Sequence, residues 1–195
     1  MYDALIFLTD GFEEIEALTP LDILRRGGCR VSSVSLTGAE WVTGSHDITM
    51  KADIAFEALT ASGGGDTTAD TFLILPGGPG TANYKKHEPL LAMLAAAHAA
   101  GGPVAAICAA PSVLGMLGIL KGKTAVSYPS AEPELTGAVI GRGAVEKDGN
   151  IITSKSAATS LLFALEILQA IKGDETADTV RNQILEPVLK EAYRL

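Results

Sequence analysis

Five short, continuously apolar runs divide this chain of 195 residues, and they constrain its fold more than any other feature. Such runs predict strands buried on both faces of a parallel sheet, because a strand with one wet face alternates in polarity. Helical patterns lie between them, and this alternation is typical of a doubly wound α/β sandwich with a mostly parallel central sheet. The predicted strands are residues 4–8, 31–36, 71–75, 104–107 and 151–153.

Apolar spacing and stop signals predict the remaining elements. Gly27 and Gly28 end the first helix, and Pro187 shortens or kinks the last one. The glycine-rich stretch 61–68 is predicted to be a surface loop. The predicted helices are residues 13–27, 88–100, 111–117, 157–171 and 176–190, and shorter strands are predicted at 47–50, 124–126 and 144–146.

Composition narrows the function classes. The length and a hydrophobic content of 47% predict one domain over residues 1–195. A formal net charge of −8 argues against nucleic acid or an anionic membrane as partner, because basic patches bind phosphates. Two cysteines are too few for a disulfide framework, so we expect a reducing, cytoplasmic setting. The first residues have the pattern of a strand rather than a signal peptide, and no apolar stretch is long enough to span a bilayer.

Cys108 lies where a predicted strand breaks into a predicted helix, the arrangement of a nucleophile elbow. The small residues Ala106 and Ala110 fit so tight a turn. A thiol at a helix N-terminus is expected to ionise more easily than a free one, because the dipole and the unpaired N–H groups favour the thiolate. The alternative is a cysteine that serves only as a small buried apolar residue.

Two further segments are predicted to share a rim with Cys108, because chemistry collects at the carboxyl ends of parallel strands. After the third long strand, the backbone of Gly77 and Gly78 could form half of an oxyanion hole, with the Ala109 amide as the other half. No Gly-Lys-Ser/Thr follows these glycines, so this is not a nucleotide loop and no cofactor is expected. Many Pro-Gly-Gly segments are simply turns.

Acidic residues open the first helix on the same rim. Glu13 and Glu14 have an ordinary explanation, because acids in a first turn complement the helix dipole. Glu16, one turn further, can point toward Cys108, and a carboxyl beside a thiolate would rise in pKa and act as general acid or base. The three histidines, His46, His87 and His98, have no metal-ligand spacing and are expected to be surface residues, so no metal site is predicted.

Together these segments resemble the ThiJ/PfpI superfamily, in the branch of the Parkinsonism-associated (DJ-one-like) deglycases and their bacterial relatives. The resemblance runs in order along nearly the whole chain. The matching segments are residues 13–17, 21–28, 75–78, 105–111 and 145–154.

The resemblance implies a flavodoxin-like sandwich, a single ThiJ/PfpI-like domain of the class I glutamine amidotransferase type, and a homodimer. It makes Cys108 the reactive, oxidisable nucleophile and Glu16 the carboxyl that hydrogen-bonds it. The backbone of Gly78 and Ala109 would form an anion pocket, and Gly77, Glu13 and Tyr128 would line it. The family has been linked to glyoxalase and deglycase activity, to oxidative-stress sensing and to chaperone behaviour.

The chain departs from the family pattern at two places, and a third position separates it from the protease-like branches. Tyr128 stands where many relatives have a histidine, which leaves Glu16 as the expected acid/base. Residues 156–158 read Ser-Ala-Ala in place of Gly-Pro-Gly, so the pocket shape is expected to differ. Ala109 stands where the protease-like branches have a histidine, which argues against a peptidase.

Three functional hypotheses follow. The first is a cofactor-independent enzyme in which the Cys108 thiolate attacks a small α-oxoaldehyde, or an early protein adduct of one, as glyoxalases and deglycases do. The second is a redox sensor whose Cys108 is oxidised to sulfinic acid and held by Glu16. The third, an amidotransferase-like hydrolase, requires a Cys-His-Glu triad for which no histidine is placed.

The first helix gives a weak, independent reason to expect a dimer. It offers Ile15, Leu18, Leu21 and Leu24 to the core, yet it also carries Ile23 and Ala17 on a different face. A helix that is apolar on more than one face normally has a second partner. The alternative is that loops of the same chain cover Ile23, since single exposed apolar residues are common.

Overall fold

The computed structural model describes residues 2–61 and 70–193, and it contains a seven-stranded central sheet. Within that sheet the strands at residues 145–148 and 151–154 are antiparallel to each other, and the other neighbours are parallel. In spatial order its strands are β10 (Val145–Asp148), β11 (Ile151–Ser154), β7 (Val104–Ile107), β6 (Phe72–Leu75), β1 (Ala4–Leu8), β2 (Val31–Ser35) and β5 (Ile54–Ala55).

Two small strand pairs and eight helices complete the described residues. The pairs are β3 (Trp41–Thr43) with β4 (Thr49–Lys51), and β8 (Thr124–Ala125) with β9 (Val139–Ile140). The helices are α1 (Glu14–Arg26), α2 (Phe56–Ala61), α3 (Thr81–Tyr84), α4 (Glu88–Ala99), α5 (Pro111–Met116), α6 (Ser160–Lys172), α7 (Asp174–Gln183) and α8 (Glu186–Tyr193), with 3-10 turns at Pro129–Glu134 and Ala157–Thr159.

The core lies in two layers, one on each face of the sheet. Alternate residues of a strand point to opposite faces, so Ile6 belongs to the layer under α1 and α6, and Phe7 belongs to the layer under α4 and α5. All five predicted long strands are confirmed, and they are fully buried apart from Ser32. The doubly wound, mostly parallel α/β fold is therefore confirmed.

Several expectations for individual elements were wrong. The predicted helix at 176–190 is two helices, α7 and α8, because Leu185 between them has a φ of 59° and interrupts the helical path. The predicted helix at 157–171 begins as a 3-10 turn. Ile15 and Leu18 do not enter the core, with exposures of 54% and 39%, whereas Ile23 is buried within the chain. The predicted loop at 61–68 lies outside the described residues, except for its first residue.

This topology brings three loops together at the carboxyl ends of neighbouring strands. Because β1 pairs with β6 and β6 pairs with β7, the residues after these strands meet on one rim of the sheet. The loops are residues 9–13, 76–80 and 108–110. Among the described residues, none of the helices combines the length and the apolar content that a bilayer crossing requires.

Candidate active site

Cys108 occupies a strained turn directly after β7. Its φ is 63°, a left-handed conformation that costs a residue other than glycine about 1–3 kcal/mol. Two backbone hydrogen bonds hold it, because its N–H donates to the Ser154 carbonyl at 3.0 Å and its carbonyl accepts from the Tyr128 N–H at 2.8 Å. The side chain is half-buried, between the end of β7 and α5. The predicted elbow geometry is therefore present.

Glu16 is buried at the same rim, with an exposure of 1%. Its Oε2 accepts a hydrogen bond from the Gly77 N–H at 2.9 Å. Its Oε1 has no hydrogen-bond partner of ordinary geometry among the described residues, although the Cys108 thiol and the Ala157 amide both act on the pKa of this carboxyl. Such a buried, under-satisfied carboxyl oxygen is costly and is characteristic of functional sites.

The start of α1 fixes Glu16 in place. Glu13 is the N-cap residue, and its Oε2 accepts the Glu16 N–H at 2.8 Å. The Glu13 N–H donates in turn to the Gly77 carbonyl at 3.0 Å, which ties the helix start to the loop after β6. The helix-start role proposed for Glu13 therefore serves the site directly.

The two glycines of the central loop are required by space. A Cβ on Gly77 would lie 2.7 Å from both the Cys108 Cβ and Glu16 Oε2, so any side chain there would separate the two groups. Gly78 has a φ of +89°, and a Cβ there would lie 2.6 Å from the Gly11 carbonyl oxygen. The loop approaches the thiol and the carboxyl this closely only because both residues are glycine.

Burial is the main reason that the pKa of Glu16 is raised, from its ordinary range to about 7. The charge of Glu13 raises it further. Hydrogen bonding with Cys108 and with the Gly77 and Ala157 amides opposes the rise. Glu16 is therefore able to hold or release a proton near neutral pH, as expected of a general acid or base.

The expectation of a lowered thiol pKa was wrong. Burial, and then the charge and hydrogen bonding of Glu16, raise the pKa of Cys108 to about 12, against the opposing amides of Gly78 and Ala109. Helix α5 is only six residues long, so its dipole is weak. The part of this rise that comes from the charge of Glu16 requires Glu16 to be ionised. When Glu16 takes up a proton, the repulsion is removed, and the two groups titrate as a pair.

The remaining predicted pocket residues have looser relations to the sulfur. Tyr128 contributes its backbone N–H to the elbow, and its side chain is 48% exposed. His87 accepts from the Leu90 N–H at the start of α4, and His98 lies within α4. All three histidines lie within the described residues, and none of these histidines is hydrogen-bonded to Cys108.

One histidine has a role that the sequence analysis missed. His46, between β3 and β4, is exposed as predicted, but its Nδ1 lies 2.7 Å from Oε2 of the buried Glu14. Together with Glu13, these two side chains form the one group of potential metal ligands among the described residues, with ligand atoms within 4.8 Å of one another. Because Glu14 is already bonded to His46, we assign the group to an ion pair.

Comparison with known proteins agrees with this geometry. The family model described as the DJ-1/PfpI family matches residues 2–170. The chain is 37% identical to the protein dj-1beta of Drosophila melanogaster over 93% of this chain and 96% of that protein. It is 28% identical to a protein named deglycase from Pyrococcus abyssi, over 86% of this chain and 98% of that one.

A solved structure described as oxidised DJ-1 of Toxoplasma gondii superposes with a TM-score of 0.87 at 31% identity, covering 95% of this chain and 98% of that one. The family model extends over most of the chain, and both the sequence and the fold of these relatives match almost end to end. The chain therefore belongs to the DJ-1/PfpI family.

Proposed function

We propose that this protein is a cofactor-independent enzyme that converts small α-oxoaldehydes, or their early adducts on proteins, by way of a hemithioacetal on Cys108. The observation that carries the proposal is the meeting of a strained cysteine with a buried carboxyl of raised pKa at one rim of the sheet. The name deglycase of the Pyrococcus relative supports the same class of reaction.

The steps balance without an external oxidant. The Cys108 sulfur adds to the aldehyde carbon and the carbonyl oxygen takes up a proton, which gives the hemithioacetal. Glu16 then removes the proton from that carbon while the neighbouring keto oxygen takes up a proton, which gives an enediol. Glu16 returns its proton to the former keto carbon and the hemithioacetal hydroxyl loses its own, which leaves a 2-hydroxy thioester. Water hydrolyses the thioester, releases a 2-hydroxy acid and restores the thiol.

The backbone supports the first and last of these steps. The amides of Gly78 and Ala109 act on the Cys108 sulfur from two different loops. A carbonyl oxygen that becomes negative beside that sulfur would find the same two donors. We assign them to the oxyanion site, with Gly77 giving the close approach and Glu13 and Tyr128 bordering the pocket.

The test is the turnover of methylglyoxal to lactate. We expect activity in the wild-type protein and none above background in Cys108→Ser, while Cys29→Ser retains wild-type activity. Equal turnover in Cys108→Ser and in wild type would refute the enzyme proposal. Chromatographic detection of lactate, rather than loss of aldehyde, excludes simple trapping of methylglyoxal by lysine and arginine side chains.

A redox-sensing role is the second candidate, and one observation favours it. The relative from Toxoplasma is described in an oxidised state, and here the sulfur is half-buried beside a protonatable carboxyl and two amides. A sulfinate at Cys108 could accept from all three. Mass spectrometry after mild peroxide decides between the roles, because sulfinate formation without methylglyoxal turnover would favour the sensor.

We also propose a homodimer in a reducing, cytoplasmic setting, where the free thiol of Cys108 persists. Ile15 and Leu18 leave an apolar strip on α1, and Ile48 is 53% exposed nearby. A cavity of about 260 Å³ lies between Ile15 and Ile48, next to the start of α1. Light scattering over a dilution series tests the proposal, and a stable single-chain mass with full activity would contradict it.

A further inference from the structure

The hairpin formed by β3, β4 and the residues between them is hydrogen-bonded to the first turn of α1 through one buried carboxylate, that of Glu14. Glu14 is 3% exposed, yet its oxygens have three partners on that hairpin. The His46 N–H donates to Oε1 at 2.6 Å, the His46 Nδ1 lies 2.7 Å from Oε2, and the Ser45 hydroxyl donates to Oε2 at 3.3 Å. The hairpin therefore binds the Glu14 carboxylate through two residues, and the backbone N–H of Glu14 itself adds one further bond.

The hairpin is shaped to receive this carboxylate. A Cβ on Gly44 would overlap the Glu14 carboxylate, so glycine leaves room for the carboxylate in its observed position. The imidazole of His46 is 68% exposed, whereas the Glu14 side chain is 4% exposed. The pair thus joins a solvent-accessible titratable group to a buried anion.

Backbone hydrogen bonds also join the hairpin to the loop before α1. The Gly11 N–H donates to the Thr43 carbonyl and the Ser45 N–H donates to the Phe12 carbonyl, each at 2.8 Å. The Thr43 N–H donates to Asp10 Oδ1 at 3.0 Å. The same loop leads into Glu13, whose side chain accepts the Glu16 N–H. Through this loop the hairpin is joined to the reactive rim, the edge of the sheet that carries Cys108, Glu16 and Gly77.

The strength of the contact between His46 and Glu14 depends on pH, because both side chains titrate. Hydrogen bonding and the charge of Glu14 raise the pKa of His46, and the nearby Glu13 and Asp47 add to the rise. Burial raises the pKa of Glu14, but the hydrogen bonds and charge of His46, together with the bond from the N–H of Glu14 itself, outweigh it and the net shift is downward. A raised histidine pKa gives stabilisation that is present at low pH and is lost as the pH rises through that pKa. The ion pair is therefore present at low pH and is lost as the pH rises through the raised pKa of His46.

We propose that His46 is a positioning residue: through Glu14 it holds the first turn of α1, and with it Glu16, against Cys108, and it does so most firmly while the imidazole is protonated. The inference rests on the proposed function for its catalytic readout. It assigns a part in the pH dependence of the reaction to His46, which lies away from Cys108 and lines the cavity at the face proposed for the dimer.

The experiment compares wild type with His46→Arg, which stays charged, and His46→Gln, which stays neutral. At about pH 5.5 we expect kcat/KM for methylglyoxal to be equal in wild type and His46→Arg and about two- to fivefold lower in His46→Gln. At about pH 9 we expect wild type to match His46→Gln, with His46→Arg higher by a similar factor. Glu40→Gln, which removes the exposed Glu40–Lys51 ion pair, is the matched control without effect.

Amide hydrogen exchange at Gly11, Thr43 and Ser45 is measured in parallel and is expected to follow the same crossing pattern. Exchange that crosses while turnover stays equal would reduce the pair to a structural contact and overturn the inference. Identical pH profiles in all variants would overturn it as well. If wild type turns over no α-oxoaldehyde, the proposed function fails. The rate at which iodoacetamide modifies Cys108 then tests the inference, which requires variant differences that depend on pH in the same way.

Discussion

The two cysteines of this chain show how differently one fold can treat the same side chain. Cys29 follows the end of α1 and is buried at 7% exposure, and burial raises the pKa of its thiol to about 11. Lys172 and Asp3 are its charged neighbours, and their effects on the pKa oppose each other. Cys108 also has a thiol of raised pKa, but it sits in a strained turn with a carboxyl and two directed amides beside it.

The comparison teaches that the thiol pKa alone does not mark the functional cysteine. Burial is the largest cause of the rise at both positions. What distinguishes Cys108 is a second titratable group beside it, Glu16, whose own pKa of about 7 lets it hold or release a proton in the neutral range. No carboxyl with a pKa near neutrality is among the groups that shift the pKa of Cys29.

The largest expected difference is in catalysis. Cys108→Ser is expected to lower methylglyoxal turnover by about 10³-fold or more, because a hydroxyl is a much weaker nucleophile without a strong base. Cys29→Ser is expected to leave kcat unchanged and to lower thermal stability, because it places a hydroxyl in the core. Equal losses of kcat in the two variants would end the distinction between the cysteines.

Glu16→Gln is expected to separate proton transfer from thiol ionisation. Turnover is expected to fall by about 10²-fold, the usual scale for a positioned acid or base. The thiol pKa of Cys108 is expected to fall below about 12, because two of the causes that raise it are removed. Iodoacetamide rates against pH, read peptide by peptide, give the second quantity. Glu166→Gln, on the surface of α6, is the control, and an unchanged turnover in Glu16→Gln would leave Glu16 a structural residue.

Gly77→Ala tests whether contact between the thiol and the carboxyl matters. The new methyl group would push the Cys108 Cβ and the Glu16 carboxyl apart, so we expect turnover to fall by about tenfold or more. Gly28→Ala is the comparison, because no atom lies within 4 Å of a Cβ there and only the positive φ is strained. Full activity in Gly77→Ala would show that the two groups act independently.

The pH dependence of stability offers a smaller effect of known sign. Because the folded state raises the pKa of Glu16 from 4.5 to about 7, ionisation of Glu16 opposes folding, and stability is lost as the pH rises between these values. We expect the melting temperature of Glu16→Gln to exceed that of wild type increasingly over this range. Parallel melting curves from acid to neutral pH would contradict the raised pKa.

Ala157→Pro is expected to have the smallest effect. The Ala157 N–H lowers the pKa of Glu16, and proline removes that donor. Proline is tolerated at the first position of a helical turn, and Ser156 before it is already extended. We expect the pKa of Glu16 to rise above about 7, as followed by the NMR shift of its carboxyl carbon. Ala157→Gly, which keeps the N–H, is expected to leave it unchanged.

Much of the fold could be predicted because its central strands carry their own signal. Runs such as Val104–Ile107 are buried on both faces, so hydrophobicity alone marks them. The short pair β3 and β4 could not be predicted fully, because strands of three residues are defined by the contacts they make. The break at Leu185 was missed for a related reason, since a left-handed leucine has no local signature.

Part of the candidate site could likewise be predicted from the sequence, and part could not. Cys108, Glu16 and the glycines were predictable because each follows or opens a strong element. The bond from His46 to Glu14 was not, since it joins residues 32 positions apart through a weak hairpin. The rise in thiol pKa was missed because burial and the charge of Glu16 depend on packing that sequence spacing does not describe.

The reactive rim has a consequence for how the molecule matures. Glu16 follows β1, Gly77 follows β6 and Cys108 follows β7, so the rim exists only after three strands distant in sequence have paired. Pairings of this kind are slow steps in folding, because long loops must close first. In a nascent or partly unfolded chain Cys108 is an ordinary thiol. The rate at which a mild alkylating agent modifies Cys108 is therefore expected to change when the sheet assembles, and it reports how far assembly has proceeded.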